Sequence, residues 1–182
     1  MAKQSDSLSF SVLRLARVHF LYIFAFAVSI IVYDSSKLIS PNAVLNRWKL
    51  VTLMVLVVTS VWYFARAKKD NISIQKGLVA LLVFADILFA SFLVYADRGM
   101  ASLAVALFAV PIITSASLWS RSAVLATATL CTAAYGYASV KYFVDFFNEG
   151  YKVQLYSTIG FYGAIFFVIA LLVMAAMNRK GG

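Results

Sequence analysis

LLVFADILFASFLVY, residues Leu81–Tyr95, carries one carboxylate, Asp86, with no polar side chain within four positions on either side. The apolar run around it extends from Leu78 to Ala96. About 20 helical residues are needed to cross a hydrocarbon layer of ~30 Å, and this run has that length. It therefore reads as a membrane span with an acid near its middle. The rest of the chain agrees. Hydrophobic residues fill 63% of 182 positions and charged residues only 13%, and the mean hydropathy is +0.90. Soluble domains are roughly half apolar.

Further runs of similar length place spans near Leu13–Tyr33, Trp48–Phe64, Leu78–Ala96, Ala101–Leu118, Ala123–Phe146 and Tyr156–Met177. Lipid gives backbone groups no hydrogen-bond partner, so a span is a helix or part of a closed barrel. These runs lack the alternation of barrel strands. The expected fold is all-α: a single membrane domain over residues 1–182, a bundle of six transmembrane helices. The first run is too long for a signal-peptide core and is followed by Tyr33, Asp34 and Ser35 rather than a small-residue cleavage site, so it is expected to stay attached. Cys131, the only cysteine, falls inside the fifth span and is expected to be a packed core thiol.

Basic residues set the expected orientation. With the N-terminus inside, Lys3, Arg14, Arg17, Arg66, Lys68, Lys69, Lys76, Arg121, Arg179 and Lys180 are cytoplasmic, against Lys37, Arg47, Lys49, Arg98, Lys141 and Lys152 outside. Asp34, Asp97, Asp145 and Glu149 offset part of the outer charge. Both termini then face the cytoplasm, in a bacterial inner membrane. The net charge of +9 is spread along juxtamembrane edges, with no basic cluster on a soluble face. Nucleic acid is not the expected partner. Anionic headgroups are, with Arg14, Arg17, Lys68, Lys69 and Arg121 facing them and Arg14 and Arg17 snorkelling.

The connections are short. In DSSKLISPNAVLNR, Asp34–Arg47, Ser40 before Pro41 is placed to cap a short interfacial helix leading into Trp48. Asp97–Met100 and Trp119–Ser122 are tight hairpins, which make the third, fourth and fifth spans neighbours. Pro111 removes one backbone donor and predicts a kink in the fourth helix, leaving the Leu107 carbonyl short of a partner.

A carboxylate at mid-bilayer costs ~3 kcal/mol on insertion scales, so Asp86 is expected to face the protein interior. Low dielectric disfavours the charged form of a carboxyl, which makes a neutral hydrogen-bond donor the expected state. Matching depths puts Pro111 and Thr114 of the fourth span, and Thr129, Thr132 and Tyr135 of the fifth, at the same height. Two readings stand for this node of Asp86, Thr114, Thr129, Thr132 and Tyr135: interhelical glue, or a group that titrates in sensing a signal. Lys141 and Asp145, four apart, are placed to pair, and Glu149 and Lys152 follow them. His19 has no ligand partner at metal-binding spacing and is expected to be a hydrogen-bonded interfacial residue. Small residues on the fifth span, with spacings such as Thr129–Ala133, allow close helix approach. The aromatic runs Phe20–Phe26 and Phe161–Phe167 suit lipid-facing packing or the lining of a lipid or small-molecule site.

Nothing in the sequence points to catalysis, a metal or a cofactor. There is no GxxxxGK[ST], HExxH or GxSxG motif and no carboxylate pair at catalytic spacing. The sixth span has no lysine to hold retinal.

Arg14 and Arg17, Asp86, DRGMAS at Asp97–Ser102, AVALFAVPIITSASLWSRSAVLATATL at Ala104–Leu130 and AAYGY at Ala133–Tyr137 together form a pattern. It resembles the six-helix membrane region of bacterial sensor histidine kinases of the pilus-regulator type. The resemblance implies a membrane sensor, acting as a homodimer or with a cytoplasmic signalling partner, that passes a signal inward through the sixth helix. Such kinases continue into a helical stalk and a phosphorylatable histidine, whereas this sequence ends with Asn178–Gly182. Either it is the membrane part of a longer kinase or a relative without a kinase core. Two other classes fit a small basic six-helix protein: the substrate-binding subunit of a vitamin-type transporter, for which Ala25–Ser29 offers a docking spacing, and a structural membrane subunit.

Overall fold

A computed structural model describes residues 2–147 and 153–178. Among the described residues there is no strand; the long elements are α1 (Ala2–Ser35), α2 (Pro41–Ala67), α3 (Ile72–Ala96), α5 (Arg121–Phe147) and α6 (Val153–Asn178), with a short α4 (Ala109–Ser115). The chain divides into two compact units, Met1–Leu78 and Val79–Gly182.

In the first unit α1 and α2 form an antiparallel hairpin. The polar N-terminal residues continue the helix of the first span rather than forming a separate tail. Ser40 has extended backbone and its hydroxyl accepts the Ala43 N–H at 3.3 Å, with Pro41 in the first helical position. The cap foreseen at Ser40 therefore opens one continuous helix that includes the second span. Along α2 the buried residues are Arg47, Val51, Met54, Val58, Val61 and Ala65, and along α1 they include Ser9, Val12, Ala16, His19, Ile23 and Ile30. The α2 set alternates steps of four and three, and the α1 set does the same as far as Ile23 and then skips seven to Ile30, the spacing of helices crossing at a shallow angle. The Ser9 hydroxyl donates to the Ala65 carbonyl at 3.4 Å, and at the other end the Arg47 guanidinium lies 5.6 Å from the centre of the Tyr33 ring.

The end of α2 is closed by Gln75 in the first turns of α3. Its side-chain amide donates to the Ala65 carbonyl at 3.1 Å and to the Lys68 carbonyl at 3.0 Å, and the residue is fully buried. These are carbonyls that a helix leaves without internal partners. Gln75→Met keeps the volume and removes both donors. It is expected to cost about 1–2 kcal/mol, measured as a lower denaturation midpoint with faster hydrogen exchange around residues 65–70.

The second unit holds the main departure from the sequence reading. Ala101–Leu118 is not one α-helix. A turn with Arg98 and Gly99 at positive φ, 74° and 60°, leads into a 3₁₀ turn over Gly99–Ala101. A 3₁₀ helix follows over Leu103–Phe108, capped by the Ser102 hydroxyl. Then come α4 and a last 3₁₀ turn over Ala116–Leu118, with Trp119 left-handed at φ 52°. Length supplies a reason. As pure α-helix Leu103–Leu118 would rise about 24 Å, short of the ~30 Å layer. With six residues before α4 and three after it in 3₁₀ geometry, rising about 2.0 Å each, it reaches about 28 Å.

The same geometry corrects the expectation for Pro111. It occupies the third position of α4, in the first turn, where an α-helix has no internal acceptor for the missing N–H. The Leu107 carbonyl is met by the Ala109 N–H. The winding changes from 3₁₀ to α just before the proline.

α3 and α5 run parallel and in register. Phe84 and Leu130, Leu88 and Ala134, Ser91 and Tyr137, and Tyr95 and Lys141 line one groove at a constant sequence offset. α5 and α6 approach through small residues. A Cβ on Gly163 would stand 2.8 Å from Thr132 Cγ2, and one on Gly136 would stand 3.4 Å from Ile159 Cγ2. Close approach therefore uses Thr132 and Gly136, not Thr129 and Ala133, both of which are exposed.

Candidate functional site

Asp86 is 2% exposed and stands on the most enclosed of the long helices. Within its apolar window α3 is 61% buried, against 39% or less for the other four. The face that α5 buries consists of Val124, Thr127, Ala128, Cys131, Tyr135, Ala138 and Ser139. On that face Cys131 lies within electrostatic range of the Asp86 carboxyl. Its thiol donates to the Phe108 carbonyl at 3.7 Å, in the turn beneath Pro111, so the lone cysteine links α5 to the fourth segment.

The polar node foreseen in the sequence is divided by this geometry. Asp86, Thr114 and Tyr135 are buried. Thr129 is exposed and its hydroxyl returns to the Leu125 carbonyl of its own helix at 3.1 Å. Thr132 is half-buried, bonded to the Ala128 carbonyl at 2.9 Å, and set against Gly163 of α6. The cause is helical phase. Residues 124, 128, 131, 135 and 138 share a stripe, while position 129 lies about 160° around the helix from position 131 at 3.6 residues per turn. Depth alone selected the threonines; spacing would have selected Cys131.

Tyr135 is fully buried, and its hydroxyl donates to the Met100 carbonyl at 3.5 Å. Its ring meets Phe108, Tyr162 and Phe166 edge-on at centroid distances of 6.1, 5.4 and 6.2 Å. Such contacts favour one arrangement of rings over a loose apolar fill. This aromatic core joins the fourth segment, α5 and α6.

At the far end of α3 and α5 the expected pair forms: Lys141 Nζ lies 2.9 Å from Asp145 Oδ2. The sequence reading missed Tyr95, whose hydroxyl donates to the same oxygen at 2.7 Å. Glu149, Lys152, Arg179 and Lys180 lie outside the described residues. Arg14, Arg17, Lys68, Lys69 and Arg121 are all exposed, with the Arg14 guanidinium 4.8 Å from the centre of the Phe10 ring. His19 is buried on the packed face of α1, and its Nδ1 lies 2.8 Å from the Leu15 carbonyl. Nδ1 therefore carries the proton. Among the described residues no group of three or more His, Cys, Asp or Glu is placed to hold a metal.

A family model described as the PilS-like transmembrane domain matches residues 2–180. The chain belongs to that family. No curated protein and no solved structure gives a match. The PilS-like domain is a multi-pass membrane domain. Among the described residues five helices are long and apolar enough to cross a bilayer, and the shorter apolar segment Leu103–Leu118 occupies the fourth place. Of the features that carried the resemblance, Asp86, the Asp97–Ser102 turn, the Pro111 segment and the small-residue face of α5 fall in the second unit, and Arg14 and Arg17 fall in the first.

Proposed function

We propose that this PilS-like domain is a membrane sensory input domain, without catalysis of its own, seated in a bacterial inner membrane with both termini cytoplasmic. The match to the PilS-like family over residues 2–180 carries the reading. The excess of Lys and Arg on one set of connections supports the orientation.

The geometry supplies a route for a signal. Asp86 is buried on α3, Cys131 ties α5 to the fourth segment, and α5 meets α6 where Thr132 faces Gly163. A stimulus that changes packing around the acid shifts α5, and α6 follows because no slack separates the two. The output partner is a histidine kinase core, in the same polypeptide or bound to the cytoplasmic ends.

Recovery of the protein from its native membrane in mild detergent tests the reading. A histidine kinase core in the same chain or in the complex is the expected result. An ATP-driven transport complex or a large structural assembly in its place contradicts it. Asp86→Asn preserves shape and removes the titratable proton, and it is expected to change signalling output while leaving the fold intact. Output equal to wild type at every pH rules out a titrating role.

A further inference from the structure

Between α3 and α5 runs an open groove of about 610 Å³. Its floor is Ile87 and Ala138, both buried, and its walls include the exposed Phe84, Leu88 and Tyr137. Small side chains at Ala133, Ala134 and Ala138 on α5 give it depth. It begins beside Phe84 and Leu130 and ends at Tyr95 and Lys141. Along an α-helix that stretch measures about 16 Å, which is half of the ~30 Å hydrocarbon layer. The groove is therefore one leaflet deep. A second transmembrane helix would need a seat running the full thickness; a single acyl chain needs one leaflet.

The open end is polar and electrically balanced. Lys141 Nζ and the Tyr95 hydroxyl both engage Asp145 Oδ2. Lys141 keeps N–H donors beyond that bond, and the pair is exposed, with relative side-chain accessibilities of 47% and 33%. A cation and an anion side by side complement a headgroup that carries both. An anionic headgroup would meet a lysine whose charge Asp145 already offsets. A trimethylated ammonium would bring no donor to the carboxylate, whereas a primary ammonium brings three.

We propose that the α3–α5 groove binds a phosphatidylethanolamine. One acyl chain lies between Phe84 and Tyr95 on one side and Leu130 and Lys141 on the other. The phosphate takes donors from Lys141 and the ammonium donates to Asp145. The site belongs to the leaflet at the C-terminal ends of α3 and α5, and it stands apart from any signalling role.

The test uses the full chain in mild detergent. Phosphatidylethanolamine, phosphatidylglycerol and phosphatidylcholine of identical acyl composition are added, and bound lipid is counted by native mass spectrometry. Phosphatidylethanolamine is expected to be retained about tenfold over the other two. Lys141→Gln, an exposed change that leaves packing alone, is expected to abolish that preference. Ala134→Phe, which fills the groove, is expected to remove retention of all three. Leu88→Trp narrows it from the opposite wall and gives the same outcome should Ala134→Phe fail to fold. Equal retention of the three lipids, a preference that survives Lys141→Gln, or wild-type retention in the groove-filling variant overturns the proposal.

Discussion

Gly99→Val is expected to lower stability by about 2–5 kcal/mol, the sum of a left-handed backbone penalty of ~1–2 kcal/mol and an overpacking cost of ~1–3 kcal/mol. Gly99 has φ +60°, and a Cβ there would stand 2.8 Å from Tyr142 Cδ1 and 3.1 Å from its Cβ and Cγ. The tyrosine has little room to retreat. Its ring packs on Tyr95 at 6.4 Å and on Phe146 at 4.8 Å between centroids, within an aromatic cluster of the kind that gathers at a membrane interface. The turn at Arg98 and Gly99 is what reverses the chain from α3 into the fourth segment, so the strain falls where two elements depend on one conformation. The denaturation midpoint of the reconstituted domain measures the effect. Gly77→Ala, where a Cβ meets nothing within 4 Å, is the control and is expected to be neutral or stabilising by up to ~1 kcal/mol.

Gly163→Val is expected to cost about 2–3 kcal/mol. Its Cβ would stand 2.8 Å from Thr132 Cγ2 and 3.5 Å from Oγ1. Thr132 is stiff, because branching at Cβ restricts its rotamer and its hydroxyl is tied to the Ala128 carbonyl at 2.9 Å. Thr132→Ser removes the obstructing methyl and keeps the hydroxyl. In that background the cost of Gly163→Val is expected to fall by about 1–2 kcal/mol, a coupling within the usual range for residues in contact. Gly160, three residues earlier on α6, has nothing within 4 Å of a built Cβ, and Gly160→Val is expected to be nearly neutral. The contrast between the two glycines measures the α5–α6 contact, which is the step through which α6 would receive a signal.

Much of this architecture was legible in the sequence because the bilayer imposes it. A span must be long and apolar; five of the six runs met that demand in full, and the fourth, over Leu103–Leu118, is shorter. The cap at Ser40 and Pro41 was legible because a hydroxyl before a proline at a helix start satisfies a specific backbone donor. Helix type in the fourth segment was not legible. LAVALFAVPIITSASL is as apolar wound as 3₁₀ as it is wound as α, and the choice follows from the distance between two turns that the sequence fixes only through Gly99 and Trp119. The site was half legible for a related reason. A stranded acid reveals that it must be enclosed, and Asp86 is. Depth does not reveal azimuth: of the threonines chosen by depth Thr114 is buried, while Thr129 and Thr132 lie off the stripe that Cys131 shares with Val124, Ala128 and Tyr135. The groove had no sequence signal, since it arises from two apolar helices lying parallel in register.

The claim on which the site rests is that Leu103–Leu118, part 3₁₀ and part α, crosses the bilayer and thereby brings α3 and α5 side by side and parallel. Single cysteines placed at Arg98 and at Ser122, both exposed, in a Cys131→Ala background, test it by labelling with a membrane-impermeant maleimide from each face of the membrane. Labelling of the two positions from opposite faces is the predicted result; labelling of both from the same face would contradict the account.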